Sequence, residues 1–134
     1  MSFLYAEQNE LVCLLKDSSM KPGQDYMVID VRSDDFAGGH IPGAKNIPSH
    51  QFLENLPLQV AQLKHIPKLY FHCALSQVRG PKCATRYMDA LTACGEGSMQ
   101  SVKVLRGGFG AWQENHKNDS DLTVDYDEKV WQLF

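Results

Sequence analysis

Leu69-Tyr70-Phe71-His72-Cys73-Ala74-Leu75-Ser76-Gln77-Val78-Arg79-Gly80-Pro81-Lys82 is the stretch from which the rest of the chain is read. An apolar run over residues 68–72 ends at Cys73, five residues intervene, and Arg79 opens a segment of helical pattern. A short run that is apolar on both faces suits a strand buried inside a parallel sheet. Gly80 supplies backbone freedom, and Pro81 fits the first turn of a helix, where its missing N–H costs nothing. Beyond it Cys83, Ala84, Tyr87, Met88 and Leu91 recur at spacings of one, three and four, the stripe of an amphipathic helix. Strand, loop and helix thus follow one another within 26 residues (68–93).

A loop running from a strand end into a helix start lets its backbone N–H groups converge, and the helix dipole adds positive potential at the same point. Such a nest binds an anion. The same field favours the thiolate form of Cys73, giving a sulfur nucleophile. Arg79 can fork onto two oxygens of a tetrahedral group, and its charge matters more as negative charge spreads in a transition state. Ser76 lies midway round the loop, where its hydroxyl is expected to hydrogen-bond the sulfur and assist breakdown of a thiol ester. His72 is read as a structural tie between strand and loop rather than as a base.

Two further apolar runs, at residues 26–31 and 101–105, read as strands, the second closing on Gly107-Gly108. Helical patterns occupy residues 7–16, with Leu11, Leu14 and Leu15 on one side, and a short segment carrying Phe109 and Trp112. Pro57 and Pro67 punctuate a middle region of one or two short helices. Strands alternating with helices predict an α/β domain of three layers, a mostly parallel central sheet of about five strands flanked by helices. The core domain is expected over residues 4–116. Residues 117–134 form a C-terminal tail whose aromatics, Tyr126, Trp131 and Phe134, are expected to pack on it.

With 134 residues, 43 % apolar and 22 % charged, the chain has the composition of an ordinary globular domain. A formal charge of −3 disfavours nucleic acid as the main partner, and no stretch approaches the ~20 apolar residues of a membrane span. The start, Met1-Ser2-Phe3-Leu4-Tyr5-Ala6-Glu7, has no basic region followed by an apolar core, so no secretory signal is expected. Cys13, Cys73, Cys83 and Cys94 form no C-x-x-C pair and are read as reduced thiols of the cytoplasm or nucleus. His40, His50, His65 and His116 have no metal-ligand spacing with them, and no metal is expected. Lys82 and Arg86, a turn apart after the loop, are read either as extra positive potential or as a solvated helix face.

Val28-Ile29-Asp30-Val31-Arg32, then Gly38-Gly39-His40-Ile41-Pro42-Gly43-Ala44, and Val104-Leu105-Arg106-Gly107-Gly108-Phe109-Gly110-Ala111-Trp112 resemble the landmarks of the rhodanese fold over roughly residues 4–116. Sulfurtransferases of that fold place the arginine one residue nearer the cysteine. The longer step from Cys73 to Arg79 resembles the dual-specificity phosphatases of the cell-division-cycle type, widening the cradle from a persulfide to a tetrahedral oxyanion. The set His72, Cys73, Ser76, Arg79, Gly80 and Pro81 looks especially similar to the small single-domain eukaryotic phosphatase and arsenate reductase members.

By that resemblance Cys73 is the nucleophile, Arg79 the clamp, and the oxyanion-binding loop is Ala74, Leu75, Ser76, Gln77, Val78 and Arg79, supported by His72, Gly80 and Pro81. It implies cysteine-dependent hydrolysis of phosphate monoesters or phosphoproteins through a phosphocysteine. Arsenate is a second substrate, reduced with external glutathione and glutaredoxin. No other cofactor is implied, and nothing fixes the oligomeric state. The alternatives are thiosulfate-type sulfur transfer and a non-catalytic binding module. Three departures from the cell-cycle enzymes stand out. Val31 occupies the position of a second, resolving cysteine. Ala74 replaces a loop acid. Regulatory extensions are absent from this sequence. Cys83 is read as a core residue; Asp34 and Asp35, the nearby candidates in sequence for a general acid, are read as solvated turn residues instead.

Overall fold

Five strands pair in the order β1-β5-β4-β2-β3, every ladder parallel, as buried strands separated by helices require. The computed structural model describes residues 3–95 and 99–132. The strands are β1 (Leu4–Ala6), β2 (Tyr26–Asp30), β3 (Lys45–Asn46), β4 (Lys68–His72) and β5 (Ser101–Leu105). The helices are α1 (Gln8–Lys16), α2 (Ser49–Glu54), α3 (Leu56–Leu63), α4 (Arg79–Ala93), α5 (Gly108–His116) and α6 (Glu128–Trp131). A 3-10 turn at Asp34–Phe36 follows β2.

The central strand β4 pairs with β2 from Tyr26↔Lys68 to Asp30↔His72 and with β5 from Lys68↔Ser101 to Phe71↔Val104. Successive side chains alternate between the two faces. Leu69 and Phe71, with Ile29 and Val104, pack under α2, α3 and α4 against Phe52, Leu63, Cys83 and Tyr87. Tyr70, with Val28 and Leu105, packs on the other face against Leu11, Phe109 and Trp112 of α1 and α5. The register therefore puts Asp30 and His72 side by side on the α5 face, at the carboxyl ends of neighbouring strands. Cys83 is fully buried in the first of these clusters.

Residues 117–132 run back over α5 and the loop after the 3-10 turn. Leu122 is buried, and its carbonyl accepts the Trp112 indole N–H at 3.0 Å. Val124 and His40 exchange backbone hydrogen bonds at 3.0 and 2.9 Å. The Tyr126 hydroxyl reaches Gln113 at 2.9 Å, and the Trp131 N–H donates to the Gly38 carbonyl at 2.9 Å. These contacts bring α6 alongside the carboxyl end of the sheet. Phe134 lies outside the described residues.

Candidate active site

Ligand sites in open α/β sheets lie beyond the carboxyl ends of the strands, and Cys73 follows the last residue of the central one. Residues 73–78 circle from β4 into α4, which begins at Arg79. Their conformation is set from behind by α5. The Phe109 N–H donates to the Cys73 carbonyl at 3.0 Å and the Gly110 N–H to the Ala74 carbonyl at 2.8 Å. Across a trans peptide the N–H points opposite to the C=O. With both carbonyls drawn back into the helix start, the amides of Ala74 and Leu75 face forward into the loop.

Gly108 is what allows this approach. It holds φ +61°, and a Cβ there would lie 2.5 Å from the carbonyl oxygens of both Cys73 and Ala74. Reading Gly107-Gly108-Phe109-Gly110 as a fold landmark missed this role. A glycine pair between a strand and a helix was the available signal.

Two contacts shape the loop further. The Gly80 N–H donates to Cys73 Sγ at 3.3 Å, a bond that strengthens when the sulfur is a thiolate. Ser76, buried and at φ +55°, takes a left-handed conformation that turns the loop. The expected hydrogen bond from its hydroxyl to the sulfur is not what the structure shows: Oγ instead accepts the Cys73 N–H at 3.5 Å. A cavity of about 180 Å3 remains inside, lined by Cys73, Ala74, Leu75, Gln77, Val78 and Arg79. Leu75 and Val78 are exposed at its edge.

Behind the loop lies a fully buried polar group of Asp30, Arg32 and His72. Arg32 forks onto Asp30, Nε to Oδ1 at 3.0 Å and Nη2 to Oδ2 at 2.7 Å. Burial opposes ionisation of Asp30, but His72, whenever it carries a proton's charge, and the permanent charge of the Arg32 guanidinium hold its carboxyl below the ordinary range. His72 is driven the other way by its complete burial, against the pull of Asp30, so the ring is neutral near pH 7. Its Nδ1 lies 3.1 Å from the Cys73 carbonyl, which can only accept, so the neutral ring carries its proton there. Nε2 stands 3.6 Å from Asp30 Oδ2 without a hydrogen bond. Arg32 also bonds the carbonyls of Asp35 at 3.2 Å and Gly39 at 2.9 Å, and stacks 4.5 Å from the Phe109 ring centre. A buried arginine thereby pins the 3-10 turn beside the catalytic-type loop.

That turn carries the second correction. Asp35 is not a solvated turn residue: its carboxylate takes a fork from Arg79, Nη1 to Oδ1 at 2.9 Å and Nη2 to Oδ2 at 2.6 Å. Both side chains are about one-third exposed, 33 % for Arg79 and 30 % for Asp35. The Arg79 guanidinium holds the Asp35 carboxyl well below its usual value, and Asp35 in turn raises Arg79. The planar donor pair that would grip an oxyanion is thus engaged by an internal carboxylate. Asp34 remains exposed, as expected.

Cys83 sits ten residues beyond Cys73 on the buried face of α4, and burial pushes its thiol up to about 12. Lys82 and Arg86 lie on the exposed side of the same helix. His40 stacks on Phe36 at 5.1 Å, and His116 lies 4.5 Å from the Trp112 ring centre, both away from the Cys73 loop. Among the described residues no group of three or more His, Cys, Asp or Glu is arranged to hold a metal ion.

A profile of the rhodanese-like domain matches residues 11–115. The rice (Oryza sativa subsp. japonica) protein named arsenate reductase 2.2 is 37 % identical over 111 residues, covering 81 % of each chain. The dual specificity phosphatase ibp1 of Schizosaccharomyces pombe is 33 % identical over 128 residues, covering 84 % of this chain and 92 % of that one. A solved yeast structure, described as a protein tyrosine phosphatase of the rhodanese family, superposes with TM-score 0.81 at 29 % identity, covering 98 % of both chains. With the parallel sheet, the loop at the end of its central strand and these relatives in agreement, the chain belongs to the rhodanese-like domain family, among its phosphatase and arsenate reductase members.

Proposed function

We propose that the chain is a cysteine-dependent phosphatase that also accepts arsenate, with Cys73 as nucleophile and Arg79 as oxyanion clamp. The observation that carries this reading is the drawing back of the Cys73 and Ala74 carbonyls by α5, which leaves amide donors and a guanidinium around one sulfur. A tetrahedral dianion placed in the loop meets Arg79 and the forward amides, and binding exchanges the Asp35 fork for the oxyanion. Cys73 sulfur, as the thiolate that accepts the Gly80 N–H, then attacks phosphorus. The S–P bond forms as the ester P–O bond breaks, and the leaving oxygen takes a proton from solvent. Water hydrolyses the phosphocysteine, releasing phosphate and restoring the thiolate.

With arsenate the same attack expels water and forms an S–As(V) bond. One external thiol then attacks Cys73 sulfur, releasing arsenite and leaving a mixed disulfide. A second thiol frees Cys73, so two thiols are oxidised to one disulfide as As(V) gains two electrons. The thiols must come from outside, in keeping with glutathione and glutaredoxin, because Cys83 is buried and held protonated. This reading puts the protein where thiols stay reduced, in the cytoplasm or nucleus, and treats residues 4–116, with residues 117–132 against them, as one catalytic unit. Phosphoproteins and small phosphate esters are the partners this reading admits. Among the described residues no helix is long and apolar enough to cross a membrane.

The test is paired kinetics of wild type and Cys73→Ser on an aryl phosphate, on arsenate with glutathione and glutaredoxin, and on thiosulfate with cyanide. The reading expects Cys73-dependent turnover in the first two and none in the third. Residual turnover above about a tenth of wild type in the serine variant, where losing a nucleophile should cost far more, would sink it.

A further inference from the structure

The turn that presents Asp35 to Arg79 is held from two sides. From inside, Arg32 bonds the Asp35 carbonyl at 3.2 Å and the Gly39 carbonyl at 2.9 Å, and the Ser33 N–H donates to Asp35 Oδ1 at 3.0 Å. From outside, the C-terminal segment grips residues 38–40. Val124 and His40 exchange backbone hydrogen bonds, and the Gly38 carbonyl takes both the Asp127 N–H at 3.2 Å and the Trp131 indole N–H at 2.9 Å. Val130 packs on Gly38 so closely that a Cβ there would lie 2.8 Å from Val130 Cγ1. Only Phe36 and Ala37 separate Asp35 from this anchor.

Between turn and tail the packing is loose. A cavity of about 360 Å3 lies there, with Asp35 and Ala37 on one wall, Val130 and Trp131 on another, and Leu75 towards the oxyanion loop. Room on that scale, far beyond the small voids of a packed interior, lets the turn shift without a clash. Its position therefore depends on the Arg32 bonds and on the anchors from the tail. Helix α6 is a single turn of four residues, too short to stand alone, so it depends on the same anchors and on the Trp131 ring, 5.6 Å from that of Phe109. A turn already fixed has lost the conformational entropy that a free one would lose on pairing with Arg79. The tail thus favours the fork without touching it.

We propose that the C-terminal segment is an autoinhibitory strap: docked on Gly38, it keeps the Asp35 turn in reach of Arg79, and undocked, it lets the turn withdraw and leaves the clamp free for an oxyanion. The strap acts through Arg79, so it rests on the clamp of the reading above and not on the chemistry at Cys73. Coupling of this kind is reciprocal: an oxyanion that takes Arg79 from Asp35 loosens the strap by the same factor. The fork bounds its size. Undocking the strap gains no more oxyanion affinity than losing the fork outright, about fivefold.

Calorimetric titration of the full chain with orthovanadate, in a double-mutant cycle of Trp131→Ala and Asp35→Asn, reads the coupling directly. Where Asp35 is present, Trp131→Ala should tighten vanadate binding by at least about twofold and at most about fivefold. In the Asp35→Asn background the same change should do nothing. Val130→Ala, which loosens α6 from Gly38 and leaves the Trp131 ring on Phe109, should repeat the pattern. Hydrogen exchange of the wild type gives the reciprocal readout, with vanadate raising deuterium uptake over residues 128–132. Equal changes in both backgrounds, or weaker vanadate binding in either strap variant, would make the tail a plain support of the cradle and overturn the strap. Protection of residues 128–132 on binding vanadate would overturn it too. Vanadate affinity indifferent to Arg79→Lys would remove the clamp and the strap together. Clamp-dependent binding without coupling would remove the strap alone.

Discussion

Asp35→Asn removes the internal carboxylate that holds the clamp, and its effect follows from the geometry. The fork has N–O distances of 2.9 and 2.6 Å, which favours a strong pair, but the side chains are 33 % and 30 % exposed, which screens it. Exposed ion pairs contribute about 0.2–1 kcal/mol, and a bidentate arginine–carboxylate geometry lies at the upper end. An oxyanion that must displace about 1 kcal/mol of pairing loses about fivefold in affinity. Removing a like charge from beside a dianion acts in the same direction. Asp35→Asn should therefore lower the inhibition constant of orthovanadate by at least about fivefold. Arg79 holds the Asp35 carboxyl below its ordinary value. A depressed folded value means that the pair stabilises the protein fully above the unfolded carboxylate pKa, near ~4, and is lost only as pH falls through the lower folded one. Asp35 thus stays ionised from about pH 6 to 8, and the ratio of wild-type to variant constants should be flat across that window. The assay is vanadate inhibition of aryl phosphate turnover at several pH values. Weaker vanadate binding in Asp35→Asn would show that the carboxylate assists the oxyanion, and a ratio changing steeply near neutrality would show that it titrates there. Either result refutes the competition.

Gly108→Ala would drive a Cβ into the Cys73 and Ala74 carbonyls, 2.5 Å away, and turn the forward amides out of line. Displacements of about 1 Å at a reacting centre cost on the order of 100-fold, so kcat/KM and vanadate affinity should fall together in a variant whose circular dichroism is unchanged. Arg79→Lys keeps the charge but loses the planar fork. Its kcat/KM on an aryl phosphate should fall by about 100-fold, and a loss under tenfold would deny Arg79 its place at the transition state. Trp112 is fully buried and tied to Leu122, so Trp112→Ala should cost about 3–5 kcal/mol by urea denaturation. A loss under about 1 kcal/mol would mean that α5 and the tail do not share the core described.

The three inner strands were legible because a strand buried on both faces writes a continuous apolar run, as Tyr26–Asp30, Lys68–His72 and Ser101–Leu105 do. The edge strands Leu4–Ala6 and Lys45–Asn46 left no such trace, being three and two residues long and mostly exposed. Cys73 and Arg79 were legible for a local reason, since strand end, loop and helix start are contiguous. Asp35 was not. Its partner lies 44 residues away, and the turn that presents it is set by Arg32 reaching its backbone carbonyl. Two adjacent aspartates in a turn have the pattern of a solvated loop until that buried arginine is placed. Gly108 was visible as a residue but not as a contact, because the carbonyls it admits belong to another segment. Trp131 was legible as an aromatic that packs, whereas the cavity it closes depends on where α6 comes to rest.

The central claim is that Cys73 forms a covalent bond to the transferred group. Mass spectrometry of wild-type protein, acid-quenched within its first turnovers of an aryl phosphate and digested, tests that bond without reference to rates. The account predicts one added phosphoryl group on the peptide carrying Cys73, and no such adduct in Cys73→Ser. Sustained turnover with the phosphoryl group on another residue, or with no adduct at any quench time, would contradict it.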